Sequence, residues 1–100
     1  MPLRQLNNYV LEIEGILNSY NVTETQLKIE LALDRTNYLI MNLNSIDDID
    51  VSGAFMIYLL IEQAKLKNKQ IVLVGCDNKK IQYAFGLAGL TSLLEPIAAA

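Results

Sequence analysis

The side chains able to do chemistry gather in a few short stretches. Asp47, Asp48 and Asp50 place three of the eleven acidic residues within one short stretch, and Ser52 follows two residues later. Cys76 stands between Gly75 and Asp77. Clustered carboxylates can hold a hard divalent cation. They also form turns and stabilise a helix N-terminus, and that reading asks nothing more of the chain. A phosphoryl-accepting aspartate site needs acids from separate strands and a partnering lysine, and the first strand expected here ends without a carboxylate. A serine nucleophile needs a base, and the chain contains no histidine. Ser-His-Asp and Cys-His arrangements are therefore excluded within this chain. Ser52 is instead read as a helix N-cap, or as a phosphorylation site at a helix N-terminus that would receive the phosphate well. Gly53 and Gly75 fit neither glycine-rich nucleotide pattern. One cysteine makes neither an internal disulfide nor a cysteine metal site, and with no histidine beside it Cys76 reads as an ordinary thiol. No cofactor, metal or catalytic residue is expected.

Charge narrows the partners. Eleven acidic against eight basic side chains give a formal charge of −3, whereas a phosphate-backbone binder needs a basic stripe. Lys65, Lys67, Lys69, Lys79 and Lys80 do cluster, near expected helix and strand ends. They read as a solvated edge with helix C-terminal charge compensation, and no nucleic-acid partner is expected.

The elements that must position these residues emerge from periodicity. A chain of 100 residues with 52% apolar side chains supports one domain with one core, residues 1–100, with residues 97–100 (Ile97 to Ala100) a loose tail. Tyr9 to Leu17 alternates as a strand with one wet face, and Gly15 loosens its end. Asn18 to Asn21 is turn-rich. Thr23 and Gln26 have capping-box spacing, and Leu27, Ile29, Leu31 and Leu33 make a wide apolar stripe on a helix ending near Arg35 or Thr36. Tyr38 to Leu43 suits a strand covered on both faces. A polar segment from Asn44 to Asp50 leads to a second helix, Ser52 to Lys67, capped by Ser52 and apolar nearly all round, hence mostly core. Gln70 to Gly75 reads as a central parallel strand. Lys79 to Ala88 is a short helix with Ile81, Ala84, Phe85 and Ala88 on one stripe, closed by Gly89. Leu90 to Leu94 is expected to add a last short strand before Pro96. The alternation implies an α/β fold with a parallel sheet and right-handed crossovers. Any site should lie beyond the carboxyl ends of the strands.

The N-terminus shows no signal peptide. The greasiest stretch, Ala54 to Ile61, is too short to span a bilayer, which takes about 20 residues. The expected compartment is the cytoplasm, without direct membrane insertion.

From Tyr38 to Leu90 the sequence resembles the STAS family, named for sulfate transporters and anti-sigma factor antagonists. The run Leu39-Ile40-Met41-Asn42-Leu43-Asn44-Ser45-Ile46 resembles the family's apolar strand ending in a polar turn. Ile49-Asp50-Val51-Ser52-Gly53 matches its Asp-Ser-Ser-Gly or Asp-Thr-Ser-Gly loop at the head of the second helix. Gln70 to Gly75 matches the next strand, and Phe85-Gly86-Leu87-Ala88-Gly89-Leu90 resembles the Leu-Phe-x-x-x-Gly-Leu ending. Gly15-Ile16-Leu17-Asn18 stands where the family has Gly-x-Leu-Asp.

The resemblance implies a small mixed, mostly parallel sheet of four or five strands with helices largely on one side. It also implies a bacterial signalling role in transcription regulation. Stand-alone relatives bind an anti-sigma factor that is also a serine kinase, and phosphorylation after the loop aspartate turns binding off. Asp50, Val51, Ser52, Gly53, Phe55 and Met56 are then the expected partner-binding residues, with Asn18, Asp47 and Asp48 in the flanking loops. Val51 occupies the usual phospho-position without a hydroxyl, and Asn18 replaces the expected acid. A transporter permease, with this chain as its accessory subunit or domain, is the alternative partner.

Overall fold

The computed structural model describes residues 3–7 and 9–94. Six strands and three α-helices run in the order β1 (Leu3–Asn7), β2 (Val10–Ile13), β3 (Gly15–Leu17), α1 (Val22–Asp34), β4 (Tyr38–Asn42), β5 (Ile46–Ile49), α2 (Val51–Leu66), β6 (Gln70–Val74) and α3 (Lys79–Leu87), before a 3₁₀ turn at Thr91–Leu94. The main sheet has the order β1-β2-β4-β6, and β3 with β5 forms a separate two-stranded sheet. Among the described residues only the β1–β2 pairing is antiparallel; the other three are parallel. This is the mixed, mostly parallel α/β architecture expected, with the strands divided four and two.

Burial shows which face the helices cover. Leu11, Ile13, Leu39, Met41 and Ile71 point into a core shared with Ile29 and Leu33 of α1, Ile57 and Leu60 of α2, and Ile81 and Phe85 of α3. On the opposite face of β4 Tyr38 is 44% exposed, and Ile40 and Asn42 are half-buried. β4 is thus covered on one face, not both, and its residues alternate between buried and open.

Several expected elements are corrected. The strand expected from Tyr9 to Leu17 is two strands in different sheets. Gly15 makes the switch with φ +75, a conformation that glycine adopts without steric cost. β1 was not expected, because Arg4 and Asn7 disguise a strand that pairs through its backbone. The polar stretch after β4 contains β5, whose buried Ile46 and Ile49 bracket exposed Asp47 and Asp48. β6 is an edge strand, because residues 91–94 form a 3₁₀ turn and no later strand pairs with it among the described residues. On α1, Ile29 and Leu33 are buried, but Leu27 and Leu31 are 57% and 61% exposed. The helix begins at Val22, so Thr23 is not its cap. Gly89 does close α3 at φ +74. The expected tail, Ile97 to Ala100, lies outside the described residues.

Candidate functional site

The head of α2 is built by Asp50. Its backbone is extended, and its Oδ1 accepts a hydrogen bond from the Gly53 amide at 3.1 Å. Asp50, not Ser52, is therefore the N-cap. A carboxylate here satisfies an orphan amide and complements the helix dipole, so the helix starts one residue earlier than the serine suggested. The second carboxylate oxygen, Oδ2, accepts from the Ser19 amide at 3.3 Å, and the Asp50 amide donates to the Leu17 carbonyl at 3.2 Å. One residue thus ties the β3–α1 loop to the start of α2.

That loop is held from within. Asn18 Oδ1 accepts from the Tyr20 amide at 2.9 Å. Asn21 Oδ1 accepts from the Asn18 amide at 3.0 Å, and Asn21 Nδ2 donates to the Ile16 carbonyl at 2.8 Å. The result presents Tyr20, 96% exposed, beside the head of α2.

Gly53 sits where its own side chain would collide. A Cβ there would lie 2.8 Å from Ile49 Cγ1 and 3.0 Å from Leu17 Cγ. Both partners are buried β-strand residues, so they have little room to yield. The glycine lets the first turn of α2 press against β3 and β5.

The remaining expected residues separate by face. Val51 and Ser52 are half-buried, and among the described residues no hydrogen bond engages the Ser52 hydroxyl. Phe55 is 44% exposed, and Leu59, one turn further on, is 48% exposed. Val51, Phe55 and Leu59 are spaced i, i+4, i+8 and make an apolar ridge running away from the loop. Met56 is not part of it: it is 2% exposed and faces the core with Leu60 and Ala64. Gly53 is buried too, so neither can touch a partner directly. Asp47 and Asp48 are exposed on β5, and Asp48 Oδ1 accepts from the Ile49 amide at 3.0 Å. Among the described residues no three acidic, cysteine or histidine side chains are grouped to hold a metal. Sequence reasoning did not single out Leu59 or Tyr20. The ridge spacing signalled Leu59, while Tyr20 comes beside α2 only through the long-range Asp50–Ser19 contact.

Cys76 lies apart from this surface, half-buried, with its thiol 3.9 Å from the Leu73 carbonyl. Burial and then the neighbouring Asp77 carboxylate push its pKa up, which favours the neutral thiol.

Among the described residues, no helix is long and apolar enough to cross a membrane. In fold the chain resembles the anti-sigma factor antagonist SpoIIAA in its unphosphorylated form, with a TM-score of 0.67 at 16% identity over 91% of this chain and 82% of that one. It also resembles Mglu, with a TM-score of 0.61 at 12% identity over 72% of this chain, and there it spans only 18% of the larger protein's length. No curated protein gives a significant sequence match. A family profile described as the STAS domain matches residues 2–99. The chain belongs to the STAS domain family.

Proposed function

We propose that this chain is a non-enzymatic regulatory module of the anti-sigma factor antagonist kind, and that it docks an anti-sigma factor or serine kinase through the head of α2. The observation that carries this reading is the ridge of Val51, Phe55 and Leu59 leading out of a loop fixed by Asp50. Interfaces are anchored by aromatic and large apolar side chains ringed by polar groups, and here the Asp50 and Asn18 loops supply that ring. The likeness to SpoIIAA supports the same choice of partner class.

Val51 alters how such a contact would be controlled. A valine at the head of α2 adds apolar contact and accepts no phosphate. Ser52, at the second helical position, remains as the phosphorylation site of this surface. A phosphate there would gain from the helix amides and lose from the Asp50 carboxylate.

The same ridge supports a second reading, as a subunit bound permanently to a transporter permease. Constitutive interfaces are more apolar than switched ones, and an exposed Phe55–Leu59 pair with no phospho-acceptor at Val51 suits one.

The test is to purify partners on the tagged wild-type chain and on a Ser52→Glu variant. A kinase-like ATPase retained by the wild type and lost by the variant supports the switch. A permease retained by both supports the subunit. Recovery of neither class would end both readings.

A further inference from the structure

We propose that β6 is a second docking edge, which takes an extended peptide with an apolar centre and acidic flanks. In a parallel ladder, alternate residues turn their backbone groups to opposite sides. The Gln70 amide donates to the Asn37 carbonyl at 2.9 Å and the Val74 carbonyl accepts from the Leu43 amide at 2.8 Å, so Gln70, Val72 and Val74 serve β4. Ile71 and Leu73 therefore turn their N–H and C=O groups outward, where no strand lies among the described residues.

Within β6 itself there is no proline, no bulge against β4 and no charged side chain. Beside it runs a groove of about 500 Å³ lined mainly by apolar side chains, Ile61, Ile71, Leu73 and Leu93 among them, together with Lys65 and Ser92. Outward backbone groups next to apolar pockets are the two requirements for adding a strand to a sheet edge.

Charge selects the occupant. In sequence, Lys65, Lys67 and Lys69 precede β6 and Lys79 and Lys80 follow it, five of the eight basic side chains, with Asp77 the single acid between Lys65 and Lys80. Lys65 pairs with Glu62 at 3.2 Å and Lys69 donates to the Leu33 carbonyl at 2.6 Å. Lys67, Lys79 and Lys80 make no ion pair among the described residues. A second copy of this chain would bring lysines against lysines at both ends. An incoming strand with acids at its ends meets them favourably and gains specificity from the match.

The test uses the 15N-labelled chain and the probe acetyl-Glu-Glu-Val-Thr-Val-Thr-Val-Glu-Glu-amide. Expected are shifts centred on the Ile71 and Leu73 amides with slowed hydrogen exchange there, and at least tenfold weaker binding to a Lys67→Glu/Lys80→Glu variant. The same peptide with lysine flanks should not bind. The proposal is overturned by no binding at about 1 mM peptide, by equal binding of the lysine-flanked peptide, or by shifts centred on the Asp50 loop. It is also overturned if the Ile71 and Leu73 amides are already protected in the free chain and lose protection when residues 95–100 are removed. Preferential binding to phosphatidylglycerol vesicles would overturn it too, reassigning the edge to a membrane surface. Changes at Phe55 and Leu59 should leave peptide binding unaltered, which separates this surface from the head of α2.

Discussion

Asp50 and Ser19, 31 positions apart in sequence, are joined by one carboxylate oxygen while the other oxygen caps α2. This single residue sets both the start of the helix and the position of the loop beside it. A surface built this way is rigid at its base, which lowers the ordering cost of binding.

Replacing Asp50 separates the two tasks. Asp50→Ala removes the cap and the loop tie together and should cost about 1–2 kcal/mol of stability. Asp50→Asn keeps an oxygen for the Gly53 amide and should cost less. Urea denaturation of both variants checks the order; equal losses would contradict the capping geometry.

Gly53→Ala places a methyl group into Ile49 and Leu17. Overpacking of this kind should destabilise the fold by about 1–3 kcal/mol. A thermal melt at or above the wild-type value would show that α2 does not press on β3 and β5 as described.

Asn78 is a second staple. Its Nδ2 donates to the Leu43 and Ile46 carbonyls, both at 3.1 Å, while its Oδ1 accepts from the Lys80 amide at 2.9 Å. Asn78→Ala should cost about 1–3 kcal/mol, and Asn78→Asp should cost more, because a carboxylate would face two carbonyls. Chemical denaturation of the pair tests this; an aspartate variant as stable as the wild type would refute it.

The half-buried Cys76 thiol should alkylate slowly at neutral pH and faster as pH rises. Its folded-state pKa lies above the unfolded value, so its contribution to stability is complete below the unfolded thiol pKa. It is lost as pH climbs through the folded one. Iodoacetamide kinetics from neutral to alkaline pH, native against urea-unfolded, should show the native thiol lagging. Equal rates would contradict the burial.

Where one element decided its own structure, the sequence was legible. Ile81, Ala84 and Phe85 at helical spacing mark the buried face of α3, and Gly89 marks its end. Where neighbours decided, it was not. The β2–β3 split depends on β3 finding β5 through Asp48 and Ile49. β6 lies at the edge because residues 91–94 coil into a 3₁₀ turn and do not pair with it. At the site, Asp-Val-Ser-Gly located the head of α2 but not its cap, because Asp50 and Ser52 are both good capping residues. Met56 was legible in principle: with Leu60 and Ala64 it repeats every four residues on the core face.

The most direct test of docking through α2 is to compare the proteins retained by the wild-type chain and by a Phe55→Gln/Leu59→Gln variant, with mass spectrometry as the readout. Both positions are about half exposed, so the variant should melt close to the wild type. The expected result is an anti-sigma or kinase-like partner recovered by the wild type and lost, at least tenfold, by the variant. The same partner recovered equally by both would contradict the claim that the ridge on α2 is the binding surface.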